Sequence, residues 1–119
     1  MTTERICLIL ALSLLTACKF YRAEVASDAQ TQMVGMSKEA VLACMGAPAQ
    51  IGQAGDTEVW SYSSGGDATT VSSTTLQRYC IVNVLMADDR VRSISYSGRT
   101  GGLLTEGEQC AFAVENCVQ

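Results

Sequence analysis

The stretch Met36-Ser37-Lys38-Glu39-Ala40-Val41-Leu42-Ala43-Cys44-Met45-Gly46-Ala47-Pro48 carries both ends of a helix within itself. Ser37 is a good N-cap, Glu39 in the first turn complements the helix dipole, and Met36 and Val41 are spaced as a hydrophobic staple. Gly46 stops the helix and Pro48 prevents its resumption, so the spacing predicts a helix over 38–45. Eight residues are too few to be helical alone in water, and Val41, Leu42, Cys44 and Met45 must therefore pack on something.

Downstream, Gly52 and Gly55 mark a loop, and Glu58-Val59-Trp60-Ser61-Tyr62-Ser63 has the aromatic and β-branched content of a strand with Trp60 and Tyr62 on one face. Residues 64–75, nearly all Gly, Ser and Thr, read as a loop. Tyr79 to Met86 is a second strand whose alternating Cys80, Val82, Val84 and Met86 form one row, and Asp88-Asp89 makes a turn. Arg90 to Ser97 is a third strand; Ile94 and Tyr96 share a face while Val91 is out of phase, which points to a bulge. Gly101-Gly102 ends the sheet, and Thr105-Glu106-Gly107-Glu108 fits a capping box opening a short C-terminal helix that holds Phe112 and Val114. The fold class is α+β: a small two-layer sandwich of helices on a three-stranded antiparallel sheet, ααβββ, with a short helix added at the C-terminus.

At the other end, Ile6 to Leu15 is an apolar run, too short to span a bilayer, which takes about 20 residues, and right for the core of a secretory signal, about 7–15. Leu15-Thr16-Ala17-Cys18 resembles a lipobox. Residues 1–17 are thus read as a lipoprotein signal peptide, and Cys18 as the lipidated first residue of the mature chain. A diacylglycerol on its thiol and a further chain on its amine anchor well, at about 0.8 kcal/mol per buried methylene. The competing reading is an ordinary secretory signal with a chance cysteine. Lys19 in place of aspartate favours the outer membrane, by resemblance to other lipoproteins. Residues 18–30, with no strong apolar stripe, read as a lipidated tether or a weak first helix, and 31–119 as the folded domain.

With Cys7 removed and Cys18 acylated, Cys44, Cys80, Cys110 and Cys117 remain. Four cysteines in a small exported domain read as two disulfides. A four-thiolate zinc site is the rival, but no C-x-x-C spacing occurs and the chain has no histidine. If 110–117 is one helix, its two cysteines are about 10 Å apart, beyond the ~7 Å reach of a bridge. Cys44 and Cys80 would then each take one of them, in either order; a break near Asn116 would reopen the Cys110–Cys117 pair.

The net charge of −4 survives removal of the signal because Glu4 and Arg5 cancel, and no basic run occurs, which disfavours nucleic acid. Without histidine, with its thiols oxidised and with only Lys19 and Lys38 as amine bases, the chain is a poor enzyme; no catalytic residue, metal, cofactor or small-molecule substrate is expected. Tyr62, the adjoining loop and Arg90, Arg92 and Arg99 are the candidate contact surface for a partner. Against that, Tyr62 can equally cover the edge of the core, and strand arginines often only solvate an exposed face.

Val34-Gly35-Met36-Ser37, Val41, Gly46-Ala47-Pro48, Gly55 and Val59-Trp60-Ser61-Tyr62 together resemble the SmpA/OmlA (BamE-like) family of outer-membrane lipoproteins. The resemblance spans residues 27–97, leaves the extension 98–119 outside, and has no counterpart of the family's lead-in over 19–33. It implies a lipid-anchored protein at the periplasmic face of the outer membrane that supports β-barrel assembly or envelope integrity by protein contact. The alternative is a periplasm-facing binding or inhibitor module of the same fold.

Overall fold

The computed structural model describes Ile6 and residues 20–65, 78–102 and 104–119. In chain order these form α1 (residues 20–32), α2 (Lys38–Met45), β1 (Gln50–Ala54), β2 (Thr57–Gly65), β3 (Tyr79–Ala87), β4 (Arg90–Ser97), α3 (Ala111–Val114) and a 3-10 turn (Glu115–Cys117). The signal segment 1–17, Cys18 and most of the loop read over 64–75 lie outside the described residues, Ile6, Ser64 and Gly65 apart.

Of the two readings open for residues 19–30, helix is what residues 20–32 form. Ala26, Ala29 and Met33 are fully buried on one stripe of α1. Two of these are alanine, so the stripe carries little hydropathy yet lets the helix lie close to the sheet. Tyr96 donates its hydroxyl to Ala26 O at 2.6 Å, and Gln30 Nε2 donates to Ile94 O at 3.2 Å, which seats α1 along β4. From residue 20 onward, the segment assigned to a tether thus belongs to the packed body.

The bounds of α2 are those its capping residues dictate. The Ser37 hydroxyl accepts from Ala40 N at 3.2 Å, and Gly46, at φ 82, donates its N–H to Leu42 O at 3.0 Å. A side chain at Gly46 would strain that left-handed exit.

The sheet is antiparallel in the order β1-β2-β3-β4, with four strands rather than the expected three. The additional strand is β1, read as loop because Gln50-Ile51-Gly52-Gln53-Ala54 has no alternation and a central glycine. All five residues are exposed, so no burial pattern marks them; pairing alone holds them, from Gln50↔Ser61 to Ala54↔Thr57 across the two-residue turn Gly55-Asp56. β3 buries Cys80, Val82, Val84 and Met86 as the alternation requires. The bulge in β4 is present: Leu85 pairs with Ser93 and Met86 with Val91, leaving Arg92 as the extra residue. That insertion turns both Val91 and Ile94 inward. The inner face, with Trp60 and Tyr62 from β2, packs against Val41, Val114 and the α1 stripe. Each fully buried valine on it contributes about 1.5–3 kcal/mol.

The capping box at Thr105 does not form. Gly107 takes φ 88, which breaks the helical run the motif would need, and Glu108 turns instead to Arg78 (Nη1 to Oε1, 2.8 Å). The Thr105 hydroxyl accepts from Gly102 N at 3.0 Å, so 104–110 is a series of turns and α3 starts only at Ala111. Two disulfides hold this segment, Cys44–Cys117 and Cys80–Cys110, each with Cα atoms 5.1 Å apart. Both C-terminal cysteines therefore pair outward, one to α2 and one to β3, although 110–117 is a turn, α3 and a 3-10 turn rather than the one helix on which that expectation depended.

Candidate functional site

Tyr62 is buried rather than presented at the surface. Its alternation with Trp60 turns it inward, where it is 6% exposed and donates its hydroxyl to Gly46 O at 3.1 Å, tying β2 to the exit of α2. Burial pushes its phenol up to about 12.

The three arginines are exposed but do not form one patch. Arg90 donates from Nη1 to Gly35 O at 2.8 Å, and Arg92 pairs through Nη2 with Asp88 Oδ2 at 2.9 Å; both sit at the β3–β4 turn. Arg99 lies beyond the opposite end of β4, more than about 20 Å away at ~3.4 Å per strand residue. Arg90 ties the start of β4 to the turn before α2, and Arg92, which pairs across the β3–β4 turn with an exposed partner, gains little in water.

Sequence reading missed two polar clusters. In the first, Lys38 Nζ donates to Glu58 Oε1 at 2.9 Å and lies 3.0 Å from Asp89 Oδ1, while Trp60 Nε1 donates to Glu58 Oε2 at 2.9 Å. The hydrogen bonds to Glu58 and then Asp89 raise the Lys38 amine; those from Lys38 and then Trp60 lower the Glu58 carboxyl. A lysine held protonated in this way cannot serve as a general base at neutral pH. In the second, the Glu108 side chain is 6% exposed, pairs with Arg78, and leaves Oε2 buried without a partner among the described residues. Its N-cap spacing hid the role, because no local pattern announces a partner 30 residues earlier.

The helices of the core pack on the face of the sheet that carries Trp60, Val82 and Val84, and the opposite, outer face carries the alternate residues of β2, β3 and β4. Register places Val59, Leu85 and Ser93 in one row, Ser61, Asn83 and Ser95 in the next, and Ser63, Ile81 and Ser97 in a third. Val59, Ile81 and Leu85 are half-buried within a polar frame that includes the Ser61–Asn83 hydrogen bond of 2.8 Å. Such a surface can bind by contact and holds no evident nucleophile pair.

Cys44, Cys80, Cys110 and Cys117 are all consumed by disulfides, which removes the thiolate zinc reading for these four. Among the described residues no group of three or more Cys, Asp or Glu is placed to hold a metal ion, and no helix is long and apolar enough to cross a membrane. No protein-family model, curated protein or solved structure matches the chain.

Proposed function

We propose that the chain is a non-catalytic, acylated lipoprotein of the outer membrane, similar to BamE, that supports β-barrel assembly or envelope integrity by touching another envelope protein. One observation carries the reading: a domain stapled by two disulfides is already helical at Phe20, two positions after the lipobox cysteine. The staples suit an oxidising compartment, and the lipobox supplies the route into it. Motifs shared with the SmpA/OmlA family, Val34 to Ser37 and Gly46 to Pro48, stand where the structure opens and closes α2.

Two experiments test this. Cys18→Ser should abolish processing and membrane attachment, and unchanged attachment would refute the anchor. The acylated protein should co-purify with a barrel-assembly component or another outer-membrane protein, and recovery of neither would refute the contact role. A second reading, a periplasm-facing binding or inhibitor module, is favoured by the covalently strapped segment 98–119, which lies outside the family pattern. Deleting the gene separates them: outer-membrane protein levels and detergent sensitivity change under the first reading and stay normal under the second.

A further inference from the structure

The chain has seven aromatic residues, and the three that are exposed gather at one end of the domain. Phe20 is 51% exposed, Tyr21 67% and Phe112 42%; Trp60, Tyr62, Tyr79 and Tyr96 are buried or half-buried. Phe112 is brought from the far end of the sequence to the first described turn of α1, where the Arg22 guanidinium lies 4.4 Å over its ring. The disulfides of Cys110 and Cys117 on either side of α3 hold it there.

This end is also where the chain leaves toward Cys18. At most one residue, Lys19, separates that cysteine from α1. At about 3.6 Å per extended residue, Phe20 lies no more than about 7 Å from Cys18. The headgroup layer on each side of a bilayer is about 5–8 Å thick, so acyl chains on Cys18 leave the first turn of α1 inside it.

We propose that Phe20, Tyr21 and Phe112, with Arg22 over the Phe112 ring, form a membrane-seating face that inserts into the headgroup interface of the leaflet holding the acyl chains. The proposal rests on the anchored reading given above. Aromatic rings favour that layer, and the Arg22 guanidinium meets lipid phosphates there. The acids Glu24, Asp28 and Glu115 border the crevice between α1 and the C-terminal segment and start a turn farther along. The face therefore orients the domain as well as adding to its attachment.

The test uses full-length acylated protein in vesicles of phosphatidylcholine and phosphatidylglycerol, with and without bromine on the acyl chains. Phe20→Trp and Phe112→Trp report the face, Ile51→Trp on the exposed edge strand is the control, and the native Trp60 gives the common background. Near-ultraviolet circular dichroism checks the fold, and mass spectrometry checks the acyl chains. The expected result is a blue shift and loss of most of the added emission in brominated vesicles for the first two variants and no change for Ile51→Trp. Acylated, vesicle-bound protein in which all three variants behave alike overturns the seating face and leaves the anchor standing. A blue shift without bromine quenching means that protein covers the rings, and also overturns it. Protein lacking acyl chains overturns the anchor and the face together.

Discussion

Removing the two disulfides one at a time sets loop length against burial, and the structure says which prevails. Cys44–Cys117 closes a separation of 73 residues and Cys80–Cys110 one of 30. Loop-closure entropy assigns about 4.5 and about 3.7 kcal/mol to them, so by chain entropy alone the longer bridge stabilises more, by about 0.8 kcal/mol. Cys80 and Cys110 are both fully buried, however, whereas Cys44 and Cys117 are half-buried. In Cys80→Ser/Cys110→Ser two hydroxyls enter the core, each costing about 1–3 kcal/mol if unpaired, while in Cys44→Ser/Cys117→Ser they keep access to water. The second term exceeds the first, and Cys80→Ser/Cys110→Ser should be less stable by about 1 kcal/mol or more. Urea denaturation followed by Trp60 fluorescence measures the difference. Equal stability, or a weaker Cys44→Ser/Cys117→Ser variant, would refute the weight given to burial.

Three further outcomes follow from the polar contacts. The lowered Glu58 carboxyl contributes stability that is present above its ordinary value of 4.5 and lost as pH falls through the folded value, while the raised Lys38 amine contributes stability present below 10.5 and lost as pH rises through its own. Denaturation curves should therefore show wild type more stable than Glu58→Gln at neutral pH and the gap closing in acid; a gap independent of pH would discard the ion pair as its cause. Arg78→Ala strands a buried carboxylate and should cost about 2 kcal/mol, less than a fully buried pair because Arg78 is 44% exposed, with partial recovery in Arg78→Ala/Glu108→Leu; no recovery would show that Glu108 acts otherwise. Phenolate absorbance should show Tyr62 and Tyr96 ionising only near pH 12, and Tyr62→Phe should cost about 1 kcal/mol while leaving partner capture intact. Loss of capture in that variant would restore Tyr62 as a contact residue.

Elements that announce themselves by local chemistry were legible. Ser37, Gly46 and Pro48 bound α2, alternation from Cys80 to Met86 defined β3, and the misfit of Val91 revealed the bulge before any geometry was known. What escaped was held by partners distant in sequence. β1 exists because β2 pairs with it, and its five exposed residues carry no signal of their own beyond the turn Gly55-Asp56. Glu108 satisfied a capping pattern perfectly well, but an arginine 30 residues away offers a stronger interaction than a backbone N–H, and Gly107 removed the helix the cap would have served. The candidate site divides the same way. Outward pairing of both C-terminal cysteines was legible only on the condition of one helix over 110–117, which the structure breaks into a turn, α3 and a 3-10 turn, whereas the dispersal of Arg90, Arg92 and Arg99 along and beyond β4 required the strand's direction.

The helix that replaces the expected tether changes what the protein can reach. A flexible segment of a dozen residues would let the domain roam about 19 Å from its anchor, at 5–6 Å times the square root of its length. With residues 20–32 folded as α1 and Ala26, Ala29 and Met33 locked into the core, that freedom is gone, and on the proposed anchored reading the domain would stay at the bilayer surface. The disulfides act in the same direction, because Cys117 fixes α2 and Cys110 fixes β3 to one C-terminal segment whose Phe112 lies under Arg22 of α1. Helix layer, sheet and the first described turn of α1 are thereby joined into one body. If the proposed anchor holds, a domain built in this way would have to meet a partner where it stands, and the rows of Val59, Ile81 and Leu85 on the outer face are a surface it could present.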